Sequence, residues 1–156
     1  FNNNIMDFDK INLENIDIFQ NDSNFYSIKY NNNKLEIKIN NVEIPYGLEN
    51  EYGKLILKMN LIDKILVKKI KDIEELMTHK FKLNIKTQLR KYSLLTCKIP
   101  TIKNKIIYDI KKNNSHFNIY NLKRKDYITA CIYIDKIWLY KSNYYYKWNF
   151  KFITLI

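Results

Sequence analysis

A chain of 156 residues with 46% hydrophobic and 15% aromatic side chains is one domain in size and long enough to bury a core without disulfide or metal staples. Its two glycines exclude Walker and Rossmann phosphate loops, and neither an HExxH nor a paired CxxC motif occurs. The formal charge is +11, but lysine outnumbers arginine 25 to 2 beside abundant Ile, Asn and Tyr, a usage that A+T-rich coding produces whatever the function.

The distribution of charge says more than its total. Residues 1–80 hold 11 lysines against 13 acids, a net −2, while residues 81–156 hold 16 cations against 3 acids, a net +13. The positive field, and with it any polyanionic partner, belongs to the second half. No apolar run approaches the length of a membrane span, so no membrane partner is expected. Cys97 and Cys131 both sit in apolar, strand-like runs, which predicts buried free thiols and an intracellular, reducing compartment, cytoplasm or nucleus.

In chain order, residues 1–22 carry Asp7, Asp9, Glu14, Asp17 and Asp22 against Lys10 alone and lack sustained periodicity, which predicts a loosely ordered acidic arm ahead of a single domain over 23–156. Phe25 to Tyr30 and Lys34 to Ile39 form two strands around the turn Asn31, Asn32, Asn33, with Leu35, Ile37 and Ile39 facing one side. Pro45 and Gly47 mark a tight turn, and a strand from Lys54 to Met59 follows Gly53. Ile62, Ile65, Leu66, Ile70, Ile73, Leu76 and Met77 then recur at three- and four-residue spacing, which predicts an amphipathic helix over about 62–79. Its polar face mixes acids and lysines evenly, so it suits a solvated cap better than a duplex-reading helix.

Beyond the helix, Tyr92 to Ile99, Ile106 to Ile110, Tyr127 to Tyr140 and Tyr144 to Ile153 have the β-branched and aromatic content of strands. In the last of these Tyr144, Tyr146, Trp148, Phe150 and Phe152 alternate with mostly polar residues and are expected to face the core. The fold class is therefore mainly β with one main amphipathic helix.

No convergent catalytic or metal-binding set is visible. His79 and His116 stand alone, so neither a cofactor nor an enzymatic activity is expected. The second half instead interleaves cations with flat rings: Arg90, Lys91 and Tyr92; Lys98; Lys103 and Tyr108; Lys123 and Arg124; Tyr145 and Lys147. Cations neutralise phosphates and aromatic faces take up unstacked bases, a combination suited to single strands. Tyrosine is equally at home in β-sheet cores, so the argument rests on the ensemble. Scarce arginine argues against base-specific duplex readout.

The order of segments resembles a known family. Ile44, Pro45, Tyr46 and Gly47, a strand, an amphipathic helix, Gln88 to Tyr92, the run LLTCKIP from Leu94 to Pro100, Ile134 to Trp138, and Tyr146, Lys147 and Trp148 together resemble the single-stranded DNA-binding proteins of nucleocytoplasmic large DNA viruses and yeast cytoplasmic linear plasmids. The resemblance covers about residues 34–152. It implies an OB-like β-barrel that coats single strands in replication, recombination or repair, with replication proteins as further partners and no catalysis. It also implies architectural roles for Pro45, Gly47, Trp138 and Trp148, and phosphate contacts from Arg90, Lys91 and Lys98. The chain departs from the pattern in having Asn143, Tyr144 and Tyr145 where relatives carry a glycine, and in placing its acidic segment at the N-terminus.

The resulting expectation is a sequence-tolerant single-stranded DNA-binding protein, with RNA as an alternative ligand and an interaction subunit as the alternative class. Lys38, Arg90, Lys91, Lys98, Lys103, Lys123, Arg124 and Lys147 would meet phosphates, and Tyr92, Tyr108 and Tyr145 would stack on bases. An acidic arm that competes for the same groove would be displaced by the strand.

Overall fold

The computed structural model describes residues 5–91, 93–102, 105–106, 109–112 and 115–156. Its strands are β1 (Ile5–Asp7), β2 (Ile16–Gln20), β3 (Phe25–Tyr30), β4 (Asn33–Lys34), β5 (Glu36–Ile44), β6 (Leu48–Glu51) and β7 (Lys54–Asn60). After the helix α1 (Lys64–His79) come β8 (Leu89–Arg90), β9 (Leu94–Lys98), β10 (Thr101–Ile102), β11 (Lys105–Ile106), β12 (Asp109–Lys112), β13 (Ser115–His116), β14 (Asp126–Tyr140) and β15 (Asn143–Leu155). The fold is mainly β, as expected.

Five strands pair in sequence around a cycle: β5 with β7, β7 with β9, β9 with β15, β15 with β14, and β14 with β5. The β9–β15 pairing is parallel and the other four are antiparallel. Side chains on one face of these strands make the core, with Leu57, Met59, Leu95, Cys97, Ile132, Tyr146, Trp148 and Phe150 all fully buried. The long β14–β15 hairpin closes on Lys141 and Ser142, both at positive φ, the conformation that two-residue hairpin turns require. Asn31 and Asn32 turn the β3–β4 hairpin in the same way.

Two bulges shape this hairpin. Cys131 and Ile132 are opposed by Phe152 and Phe150, which leaves Lys151 as an extra residue on β15. Side-chain parity flips there, so Ile153 and Leu155 take the inward positions. Phe152, expected in the core, is only half-buried for that reason. The second bulge lies on β14, where Ile134 opposes Trp148 and Ile137 opposes Tyr146, so Asp135 and Lys136 together face Lys147. The extra residue keeps Ile137 in the core and turns Asp135, Lys136 and Trp138 away from it.

The helix begins two residues later than its apolar spacing suggests. The Asp63 carboxylate accepts from the N–H groups of Ile65 and Leu66 as an N-cap, and this leaves Ile62 and Ile65 exposed. Leu66, Ile70, Ile73 and Met77 form its buried stripe. Glu74 ties the helix to the body: Tyr146 Oη donates to its Oε2, the Gln88 N–H donates to the same oxygen at 2.9 Å, and Thr87 Oγ1 donates to Oε1 at 2.6 Å. Trp148 Nε1 donates in turn to Tyr146 Oη at 3.2 Å.

Of residues 1–22, expected as a loose arm, residues 5–20 are placed on the body. β1 pairs in parallel with β5 and β2 pairs with β3; Ile11 and Ile16 are buried, and Lys69 Nζ donates to the Ile11 carbonyl at 2.8 Å. Their acids did not predict this because the anchoring residues, Met6, Phe8, Ile11, Leu13 and Ile16, follow neither a helical nor a strand period. Both cysteines are free and buried. Burial pushes the Cys97 thiol well up; at Cys131 burial and then the Glu36 carboxylate push it to about 12. Among the described residues no helix is long and apolar enough to cross a membrane.

Candidate nucleic-acid interface

On the outer face of β7, β9 and β15, register brings basic residues side by side. Lys58 opposes Thr96, Ile56 opposes Lys98, and Lys98 is level with Asn149. Ile56 is buried outside the main core, beneath this face. Two depressions share Lys147 as a common wall. One, of about 390 Å³, is lined by Phe25, Lys54, Lys98, Asp135, Lys136, Trp138, Lys147 and Asn149. The other, of about 470 Å³, is lined by Glu51, Lys58, Gln88, Arg90, Thr96, Tyr145 and Lys147. The two adjoin at Lys147, and this pair of depressions is the candidate groove.

Aromatic rings flank it. Trp138 and Tyr145 oppose each other across the hairpin and stack with centroids 6.1 Å apart and planes 26° from parallel, and Tyr140 leans on Tyr145 at 6.4 Å. Lys136 Nζ lies 4.6 Å from the Phe25 ring centroid. The cations are crowded: Lys98 is held below the ordinary lysine range first by desolvation, then by Lys54, with Lys147 and Lys136 adding and Asp135 opposing. Such a cluster favours an anion that can lie among its members. Lys58 is partly offset by Glu49 at 3.6 Å.

The structure brings together Arg90, Lys98, Tyr145 and Lys147 of the residues expected from sequence. Lys91 is exposed in the turn after β8 and lines neither depression. Lys38 lies on β5 level with Cys131, past the ion pair of the buried Glu36 with the partly exposed Lys151 at 2.6 Å, and also stays outside. Lys123 and Arg124 precede β14, whose first residue, Asp126, is itself roughly 30 Å of extended chain from Asp135. Their backbone packs on the Pro45–Gly47 turn: Gly47 is at φ +66, and a Cβ there would meet Arg124 N at 3.2 Å and Lys123 C at 3.3 Å. Tyr92, Lys103 and Tyr108 lie outside the described residues.

Sequence reasoning missed Lys54, Lys58, Lys136, Phe25 and Trp138. The signal for Trp138 was present: core positions run Ile128, Ala130, Ile132, Ile134 and then skip to Ile137, a break in parity that puts Trp138 outside. Of the two tryptophans expected to be architectural, Trp148 is fully buried and Trp138 is half-buried. Among the described residues no group of three or more His, Cys, Asp or Glu side chains could hold a metal ion. Comparison of the chain with protein families, curated proteins and solved structures returns no match.

Proposed function

We propose that this chain binds single-stranded DNA with little overall sequence preference and works by holding the strand, without catalysis. The observation that carries the reading is the groove in which Lys54, Lys58, Arg90, Lys98 and Lys147 surround the stacked Trp138 and Tyr145. Cations spaced along a face neutralise successive phosphates, and exposed ring faces take unstacked bases at about 1–3 kcal/mol each.

The pairing cycle supports an OB-like barrel. Such barrels are five-stranded Greek keys that take oligonucleotides on the face of their second and third strands and in the loops between strands 1 and 2 and strands 4 and 5. Counting β5, β7, β9, β14 and β15 as strands one to five, the groove covers the second and third and continues onto the fourth and fifth, with β6 in the first of those loops and Lys141–Ser142 in the second. The sequence resemblance to viral and linear-plasmid proteins adds a role in replication, recombination or repair of an A+T-rich genome.

The test is fluorescence anisotropy with labelled oligo-dT, a duplex of equal length and oligo-U at 50 and 200 mM salt. Preference for oligo-dT is expected, with a log–log salt slope of about −3 to −4 for four to six neutralised phosphates. Preference for oligo-U would turn the reading to RNA. Weak, equal binding to all three would overturn it in favour of an acidic protein partner.

A further inference from the structure

The β14 bulge places a carboxylate inside a groove otherwise suited to phosphate. Asp135 lines the 390 Å³ depression with Lys54, Lys98, Lys136 and Lys147. For phosphate contact alone this acid is counterproductive, since it lies beside the very cations that a backbone would need. The bulge puts it there: without the extra residue, Asp135 and Lys136 would not both oppose Lys147.

Two further features surround it. Trp138 and Phe25, level with each other on β14 and β3, supply ring surface to the same depression. Asn149, 5% exposed, also lines this depression from β15. Ring, carboxylate and amide together are the equipment for reading the edge of one base.

We propose that this depression is a base-reading subsite that accepts guanine in preference to thymine or uracil. The inference rests on the single-strand reading above. Guanine offers two adjacent donors, N1–H and the N2 amine, to the two oxygens of Asp135, and its O6 accepts from the Asn149 amide or a neighbouring lysine. Thymine and uracil present one donor between two carbonyls, and those carbonyls face the carboxylate unfavourably. A good two-point contact discriminates between bases by about tenfold or more. The groove then tolerates most of a strand while one position fixes its register.

The experiment uses the full chain with an oligo-dT labelled at one end, the same oligomer with one internal guanine, and the same with inosine in its place. A single guanine avoids the self-association of guanine runs. The guanine oligomer should bind about tenfold tighter than oligo-dT, and inosine, which lacks the N2 amine, should fall between. Asp135→Asn should bind all three alike, with oligo-dT held as tightly as before or tighter because a negative charge has left the groove. If Asp135 serves only to keep the lysines charged, the variant would shift every oligomer equally. Equal wild-type affinities, or a guanine preference that survives in Asp135→Asn, would overturn the subsite and leave the single-strand reading standing. Failure to bind any of the oligomers would overturn both.

Discussion

Lys98 shows at the scale of one residue how the proposed binding face would oppose the stability of the fold that carries it. Desolvation and the adjacent Lys54 depress its pKa, so the folded state holds the ammonium less favourably than the unfolded chain does. The sign follows from linkage: the deficit is fully present below the folded pKa and is relieved as pH rises through that value towards the ordinary lysine range. Lys98→Met should therefore raise the thermal midpoint of the free protein at pH 7, by an amount that shrinks at alkaline pH, while weakening oligo-dT binding severalfold. Calorimetry at two pH values with a parallel anisotropy titration reads both effects. A lower midpoint at pH 7 would mean that the lysine stem packs more than its charge repels.

At the scale of elements, Glu74 couples three parts of the fold. It joins α1, the Tyr146 hydroxyl inside the sheet and the 87–88 backbone that leads into Arg90. Tyr146→Phe removes the donor to Glu74, in a part-buried bond, and the acceptor for Trp148 Nε1, in a buried one. The expected cost is about 1–3 kcal/mol in urea unfolding, and a change below a few tenths would show that water replaces both bonds. The N-terminal segment makes a second prediction. Because Ile11 and Ile16 are buried and no residue of 5–22 lines the groove, deleting residues 1–22 should lower the thermal midpoint markedly and leave groove affinity near wild type. Tighter oligomer binding at low salt, with stability unchanged, would instead restore a competing acidic arm.

Much at this scale was legible from local pattern. The 3.6-residue period gave α1, and strict alternation gave the first part of β5, as far as Ile39, and the core face of β15 as far as Phe150. What escaped was set by non-local pairing. The parallel contact of β9 with β15 aligns Lys98 with Asn149, 51 positions apart, and no window of sequence contains both. Lys54 and Lys58 were passed over because they belong to the half of the chain with net negative charge; the fold brings them to the cations of the other half. Lys123 and Arg124 showed the reverse, a dense local cluster that the topology carries away from the groove.

For the whole molecule, crowding of like charge on one face predicts a stability that depends on what fills it. A bound strand that lies among Lys54, Lys98, Lys136 and Lys147 relieves their repulsion and binds only the folded state. Oligo-dT at about 100 times its dissociation constant should raise stability by about 2.7 kcal/mol, measured as a shift in the thermal midpoint at low salt. The shift should fade as salt rises, and a midpoint indifferent to oligomer would argue that the groove stays empty.

The position of β15 has a consequence for how the protein is made. This strand follows every other in the sequence, yet it hydrogen-bonds to β9, β12 and β14 and contributes Tyr146, Trp148 and Phe150 to the centre. Until the ribosome has released residues 143–155, the nascent chain carries unmatched strand edges beside an apolar interior that lacks its largest side chains. Folding of this unit during translation therefore waits until residues 143–155 have emerged, and before that the nascent chain exposes the edges and apolar faces that β15 covers.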